Sequence, residues 1–233
     1  MSREATEERQ LRPSRIPAER PGAPGGKRAL NRQRRTRDLR EAALGLFLEQ
    51  GVEAVTIDAI ARGAGMAKGS FYRYFQDKGG LVDALLAPTR DGVTHALDAC
   101  GERLERATNR ASLAAAYEAL AEDLVAVFLR APRVVRLYLQ ESRAPTKGAA
   151  GPFRALADAI FGRAVSLTED AIHHGLLRDF DARISALTVV GAVERLTFEV
   201  LGGRDLGDLR EIPRALVSLV LDGMRPDQPG QKG

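Results

Sequence analysis

The side chains best suited to recognise another molecule are concentrated in residues 65–78, which read Gly-Met-Ala-Lys-Gly-Ser-Phe-Tyr-Arg-Tyr-Phe-Gln-Asp-Lys. Four of the 12 aromatic residues of the chain fall in this segment. On a helix, Phe71 and Phe75 share one face, while Tyr72 and Arg73 turn to another. Hydroxyl and cationic donors beside glycines suit close approach to the phosphates and base edges of nucleic acid. The segment therefore predicts a nucleic-acid-contacting helix that two phenylalanines anchor in the core.

Two short helices separated by a glycine-containing turn form the element that must position this segment. Thr56 supplies a capping hydroxyl for a helix that Gly63 and Gly65 end after barely two turns. A three-residue turn leads to the second helix, predicted over 68–75 and interrupted by Asp77. This spacing is typical of a helix-turn-helix motif.

A longer amphipathic helix precedes the motif. Its apolar residues recur at i, i+3, i+4, i+7 and i+8 before a glycine suited to a C-cap, at Leu39, Ala42, Ala43, Leu46, Phe47 and Gly51. We expect ordered structure to begin near residues 31–37. The remainder of the chain reads as long helices, broken or kinked at Pro88, and has no alternating strand segments. The sequence predicts an all-α protein of about nine helices.

The charge is distributed unevenly along the chain. Residues 1–40 hold 12 Lys/Arg against 5 Asp/Glu, whereas the other 193 residues hold 23 against 26. A basic end on a mildly acidic body points towards nucleic acid or another anionic surface. A disordered, solubilising tail is the alternative, because residues 1–30 are rich in proline and glycine and have few apolar side chains.

Signatures of other protein classes are missing from the sequence. The glycines at 63, 65 and 69 miss the dinucleotide-binding spacing, and no Gly-x-Ser-x-Gly elbow exists. A single cysteine, Cys100, excludes an internal disulfide and zinc sites built from four cysteines. No apolar run reaches the ~18–20 residues that span a bilayer, and no secretory signal is present. We therefore expect a cytoplasmic protein that is not an enzyme and has no catalytic residue, metal site, cofactor or membrane contact.

Residues 34–86 resemble the DNA-binding domain of the tetracycline repressor (TetR) family. The matching features occur in order over about 50 residues: Leu46-Phe47-x-x-x-Gly51, Thr56, Ile60-Ala61, Ala64-Gly65, Lys68-Gly69-Ser70-Phe71-Tyr72, Phe75 and Lys78-x-x-Leu81. Two positions depart from the pattern. Ala67 stands where many relatives have a capping Ser or Thr, and Gly79-Gly80 opens the following helix with poor helix formers.

The resemblance implies roles for individual residues of the domain. Thr56, Tyr72 and Lys78 are expected at phosphates. The residues expected at or near the bases are Lys68, Gly69, Ser70, Arg73 and Tyr74. Arg34 and Arg35 join this DNA-binding set because they lie where the basic N-terminal segment leads into the first helix.

The resemblance also implies a domain plan: a flexible basic arm (1–30), the helix-turn-helix domain (31–80), a ligand-binding and dimerisation domain (81–225) and a flexible tail (226–233). Apolar and orienting groups of a small-ligand site are expected between 93 and 175, at Leu97, Tyr117, Leu124, Phe128, Tyr138, Glu141 and Phe161. The final helices carry more apolar surface than one core uses. One of the two stripes on 182–202 should meet a partner protomer, together with the last helix. The dimer residues predicted are Val189, Val193, Leu196, Val200, Leu216 and Val220, and the stripe of Ile184, Leu187, Gly191, Phe198 and Leu201 is the alternative.

Together these features predict a homodimeric transcriptional regulator. It would be a repressor that a small hydrophobic ligand releases from a pseudo-palindromic double-stranded DNA operator. A DNA-binding regulator without a ligand is one alternative, and a helical enzyme with this N-terminal pattern is another. Tight, sequence-specific DNA binding would separate a regulator from the enzyme. Release from DNA by a ligand, or its absence, would separate the two kinds of regulator.

Overall fold

The computed structural model describes residues 26–143, 148–208 and 211–223. Within these ranges the chain forms nine α-helices and no strand, which confirms the all-α prediction. No described helix is long and apolar enough to cross a membrane. The helices are α1 (Lys27–Gln50), α2 (Ile57–Gly63), α3 (Lys68–Phe71), α4 (Lys78–Glu105), α5 (Arg110–Arg130), α6 (Pro132–Glu141), α7 (Gly151–His173), α8 (Ala182–Leu201) and α9 (Glu211–Gly223), with a 3₁₀ turn at Gly148–Ala150.

The first three helices and the start of α4 close around one apolar core. α1 contributes Leu39 and Phe47, α2 contributes Ile60, and α3 contributes Phe71, each fully or almost fully buried. The apolar residues that the sequence spacing singles out on α1 therefore form the face that packs in this core. The same cluster continues into α6 and α7, for example through Phe153, so the first three helices and the C-terminal helices share a core.

Local capping explains where these short helices begin and end. The Thr56 hydroxyl accepts a hydrogen bond from the Ala59 amide (3.1 Å), as predicted for the start of α2. The Asp77 carboxylate accepts from the Gly80 amide (2.7 Å) at the start of α4. This cap offsets the poor helix propensity of the two glycines there, about 1 kcal/mol each. Gly51 ends α1 at φ 78°, a conformation that glycine adopts at little cost.

Two helix boundaries differ from the sequence prediction. α1 begins at Lys27 rather than near 31–37, because the segment after Gly26 consists of good helix formers such as Arg, Ala, Leu and Gln. The helix predicted over 68–75 ends at Phe71, and the chain continues through tighter turns in which the amides of Arg73 and Tyr74 bond to carbonyls three residues back. Residues 1–25 and 226–233, predicted as an arm and a tail, lie outside the described residues.

α4 is the long helix that joins the two parts of the molecule. It runs through Pro88 without the break that the sequence predicts. Packing on both sides explains this continuity, because α4 contacts α5 and α7 along its length and buries Leu85, Leu86 and Val93 around the proline. A second apolar cluster between α4, α5, α7 and α9 fills the C-terminal part of the molecule.

Candidate nucleic-acid interface

The polar surface predicted around residue 70 is present on α3 and the turn after it. Lys68 and Arg73 are exposed, Tyr72 is 44% exposed, and Ser70 is half-buried. A Cβ atom added at Gly69 would meet nothing within 4 Å, so the backbone there is open to a partner. These side chains project from the element whose buried side is formed by Phe71 and Phe75, whose ring centroids lie 5.8 Å apart.

Tyr74 is less available to a partner than its neighbours. Its side chain is half-buried against the domain core. The guanidinium carbon of Arg32, on α1, lies 5.9 Å from the centroid of its ring. This cation–π arrangement places the N-terminal half of α1 directly beside α3 and the turn after it, residues 68–75, which we call the recognition turn.

The start of each short helix also matches the sequence prediction. Thr56 is exposed, and its hydroxyl accepts from the Ala59 amide while keeping its own proton free to donate to a phosphate. Ala67 occupies the N-cap of α3 and makes no side-chain cap. The cap that many relatives have is therefore missing here, as the sequence predicts.

Lys78 makes its contacts within the protein. Its ammonium group donates to the carbonyl oxygens of Val52 (2.6 Å), Glu53 (3.1 Å) and Val55 (3.0 Å). A lysine ammonium has three N–H donors, so all of them are used by these carbonyls. Lys78 thus fixes the turn between α1 and α2, and its contact with a phosphate stays a prediction.

The two arginines predicted to contact DNA from the N-terminal segment are separated by the helix. α1 includes both, so their side chains leave the helix axis about 100° apart. Arg34 is exposed and donates to Asn31 Oδ1 (3.1 Å) on the same helix. Arg35 is half-buried and points towards the side of α1 that packs on the domain.

Comparison with known proteins identifies the domain that these residues form. Residues 39–85 match the family model described as "Bacterial regulatory proteins, tetR family". Residues 39–85 are therefore similar to the N-terminal domain of the TetR family. The matched residues include α2, α3, the buried half of α1 and the first turns of α4.

Curated relatives support the TetR-family assignment over a limited length. The HTH-type transcriptional repressor KstR2 of Mycobacterium tuberculosis is 45% identical over 49 residues, which cover 21% of this chain and 24% of that protein. KstR2 of Rhodococcus jostii is 34% identical over 116 residues, which cover 46% of this chain and 53% of that protein. The chain thus spans only about a quarter to about half the length of the curated relatives it matches.

Solved structures share the fold over most of the chain. NalD, the secondary repressor of the MexAB-OprM efflux pump in Pseudomonas aeruginosa, superposes with a TM-score of 0.66 at 21% identity and covers 85% of this chain and 100% of its own. The fatty acid degradation regulator FadR from Bacillus halodurans gives a TM-score of 0.60 at 17% identity, covering 81% and 99%. At these identities the likeness shows that the helical fold is shared, over 81–85% of this chain.

The DNA-binding helices are tied to the C-terminal helices through the turn between α1 and α2. The carboxylate of Glu141, at the end of α6, accepts from the Val52 amide (3.0 Å). The carboxylate of Glu53 accepts from the Ala149 amide (3.1 Å) in the 3₁₀ turn. A further ion pair joins Arg133 on α6 to Glu41 on α1. The sequence holds no local signal for these contacts, because each partner is distant along the chain.

The structure divides the residues predicted for a ligand site. Leu97 is buried in the second apolar cluster, and Tyr117, Leu124 and Phe128 pack against it, so these four lie together between α4 and α5. Phe161 is half-buried on α7.

Tyr138 and Glu141 make hydrogen bonds within the protein, and their place in a ligand site stays a prediction. Glu141 binds the Val52 amide. The Tyr138 hydroxyl donates to Glu194 on α8 (2.8 Å), whose other oxygen accepts from Arg143 (2.9 Å). Burial, and then the charge of Glu194, raises the pKa of Tyr138, which keeps this hydroxyl a donor.

The stripe assigned to a dimer on α8 faces inward in the structure. Buried Ala182, Ser185 and Ala186 set the rotation of the helix, because these small side chains allow close packing against its neighbours. At 100° per residue, the predicted stripe lies on this same side, and its members Val189, Val193, Leu196 and Val200 are half-buried. The other stripe is the exposed one, with Ile184 at 54%, Leu187 at 62% and Phe198 at 41%. On α9, Leu216 and Val220 are half-buried, and Leu219 is 72% exposed.

One surface pocket lies apart from all these residues. Its volume is about 470 Å³, and it is formed at the α7–α8 turn by residues that include His173, Asp179 and Asp181. Among the described residues, no group of three or more His, Cys, Asp or Glu side chains is arranged to hold a metal ion.

Proposed function

We propose that the protein is a homodimeric transcriptional repressor that a small hydrophobic ligand releases from a pseudo-palindromic DNA operator. The observation that carries this proposal is the exposed recognition turn of a TetR-family domain. Lys68, Tyr72 and Arg73 project from it around the open backbone of Gly69. The turn enters the major groove, where cationic side chains reach base edges and the hydroxyls of Thr56 and Tyr72 bind phosphates.

The DNA-binding part of the proposal is tested by selecting duplexes from a random-sequence library with the wild-type chain. We expect a symmetric consensus and binding that resists excess non-specific DNA. The double variant Lys68→Ala/Arg73→Ala should lose this preference, whereas Tyr72→Phe, which removes one phosphate donor, should weaken binding to all sequences alike. Failure of the wild-type chain to enrich any sequence would contradict the proposal.

The ligand part of the proposal is supported by the apolar cluster between α4 and α5. Leu97, Leu124 and Phe128 line it, and Tyr117 brings one hydroxyl into it. Burial raises the pKa of Tyr117 well above its usual value, so this hydroxyl keeps its proton and can donate it to a ligand. An apolar lining with one orienting hydroxyl suits an uncharged hydrophobic molecule.

The uncharged apolar dye Nile red provides a direct test of this ligand site. Leu124 is half-buried in the cluster, and Leu129 is 64% exposed on the same helix, so the two leucines form a matched pair. We expect Leu124→Trp to weaken dye binding about ten-fold and Leu129→Trp to leave it unchanged. Equal binding by both variants would remove this cluster as the site.

Coupling between the two sites is proposed to pass through α6. This helix holds the α1–α2 turn through Glu141 and holds α8 through Tyr138. A ligand that shifts the helices packed on α6 would therefore shift the DNA-binding domain relative to its dimer partner. Coupling energies in such switches are about 1–3 kcal/mol, which weakens DNA binding by the ligand-bound protein about 5–150-fold.

A further inference from the structure

The first half of α1 is not buried, whereas its second half packs in the domain core. Its first twelve residues, 27–38, contain no buried side chain, and the first buried residue is Leu39. Twelve helical residues extend about 18 Å. The helix therefore continues well beyond the core that its second half completes.

The first half of α1 is basic on the side that points in the same direction as Leu39, the first buried residue of the helix. Taking Leu39 as the reference, rotation of 100° per residue places Arg28, Arg32 and Arg35 within about 40° of its direction. Lys27 and Arg37 lie about 120° and about 160° from Leu39 by the same rule, outside this row. The apolar face of α1 is thus continued by a row of three arginines towards its N-terminus.

The contact between Arg32 and Tyr74 fixes where this row lies. The guanidinium carbon is 5.9 Å from the ring centroid of Tyr74, which belongs to the recognition turn. Stacking on a ring leaves the edge N–H donors of a guanidinium available for another partner. Arg28, Arg32 and Arg35 have no acidic side chain within salt-bridge distance among the described residues, whereas Arg133 on α6 is paired with Glu41.

We propose that the face formed by Arg28, Arg32 and Arg35 binds DNA phosphates next to those reached by the recognition turn. This inference rests on the proposed DNA-binding function and adds a third element to the interface. Charge complementarity and continuity with the recognition turn select duplex DNA as the partner. Because phosphate contacts carry no sequence information, this face adds affinity without changing the preferred sequence.

Two matched variants separate this face from the general charge of the helix. Arg28→Gln/Arg32→Gln and Lys27→Gln/Arg37→Gln each remove two positive charges from the same half of α1. Binding is measured on the duplex that the wild-type chain selects from a random library, over a range of salt concentrations. Circular dichroism checks the helix content of each variant, and Arg28→Lys/Arg32→Lys restores the charge on the same face.

The first variant should lose about ten-fold in affinity at about 0.1 M salt. The slope of log affinity against log salt should fall by about 2 per bound protomer, at about 0.9 per phosphate contact. The second variant should stay within about two-fold of wild type, and the lysine variant should recover most of the affinity. Library selection with the first variant should return the wild-type consensus.

Two outcomes would overturn the inference while leaving the proposed function intact. One is an equal loss of affinity in both glutamine variants, which would make the effect one of overall charge. The other is unchanged duplex binding by Arg28→Gln/Arg32→Gln together with lost binding to vesicles rich in phosphatidylserine. Failure of the wild-type chain to select any duplex would instead contradict the proposed function itself.

Discussion

Two lysines of the DNA-binding domain show how far a motif determines the role of a residue. Lys68 and Lys78 both belong to the pattern that identifies the family, and both are expected at DNA from that pattern. Lys68 is exposed beside the open backbone of Gly69. Lys78 instead donates hydrogen bonds to three carbonyl groups of the α1–α2 turn. The difference depends on the path of a turn more than twenty residues away, which no local pattern contains.

These placements predict opposite effects for the same substitution. Lys78→Met removes three charge-assisted hydrogen bonds and leaves backbone carbonyls without their donor, so the free energy of unfolding should fall by about 1–3 kcal/mol. Lys68→Met should change it by no more than about 0.5 kcal/mol while weakening binding to the selected duplex. Urea unfolding and duplex titration of both variants check this. A fully stable Lys78→Met protein with weakened DNA binding would support the phosphate role of Lys78.

Cys100 gives a prediction at alkaline pH. The residue is fully buried, and burial raises the pKa of its thiol from 9.0 to about 11. The unfolded chain therefore loses this proton first, and stability is complete below about pH 9 and declines as the pH rises towards 11. The shift corresponds to about 2–3 kcal/mol at 1.36 kcal/mol per pKa unit.

The substitution Cys100→Ala isolates this contribution, because it removes the thiol and leaves the tyrosines in place. Urea unfolding at several pH values should show a constant difference between the two proteins below about pH 8. Above pH 9 the difference should shrink, since only the wild-type chain has the thiol to lose. Parallel stability curves up to pH 11 would show that the thiol does not contribute.

At the level of elements, the sequence predicts the helices well and their ends less well. The apolar spacing from Leu39 to Phe47 and the Thr56 cap both agree with the structure, because local sequence determines them. The end of α3 at Phe71 depends on the tight turns that bring Phe75 back into the core. The course of α4 through Pro88 depends on packing against α5 and α7. Contacts distant along the chain decide both features, so helical periodicity alone cannot predict them.

The link between α6 and the α1–α2 turn can be measured directly by hydrogen exchange. Glu141→Ala removes the acceptor of the Val52 amide, so exchange in the turn at 51–56 should accelerate about ten-fold, the equivalent of 1.4 kcal/mol. Glu141→Gln keeps an acceptor oxygen and should have a smaller effect. Gln140→Ala changes the exposed neighbour on the same helix and should have none. Equal exchange in Glu141→Ala and wild type would remove this contact from the coupling path.

At the scale of the whole molecule, the surface that pairs two protomers could not be chosen from the sequence. Both stripes of α8 are apolar, so periodicity permits either orientation. The small residues Ala182, Ser185 and Ala186 decide between them, because they allow close packing against the neighbouring helices. The proposed dimer surface accordingly moves to Ile184, Leu187 and Phe198, and Leu219 extends it onto α9.

A charge placed on this surface should separate the protomers. Leu187→Glu and Leu219→Glu each put a carboxylate where the proposed interface excludes water, and both leucines are more than 60% exposed, so the subunit fold should tolerate the change. Leu129→Glu is the matched control, because Leu129 is 64% exposed on α5, away from this surface. Sedimentation should show monomers for the first two variants and a dimer for the control.

Loss of the dimer should affect DNA binding in a specific way. A dimer binds two half-sites at once, and joining two binding events raises overall affinity by about 10²–10⁴ without any new contact. Leu187→Glu should therefore bind the full palindrome at least about 100-fold more weakly than the wild-type chain. Its affinity for a duplex with a single half-site should equal that of the isolated wild-type protomer, since the recognition turn is untouched. A dimeric Leu187→Glu protein with full affinity for the palindrome would place the pairing surface elsewhere on the molecule.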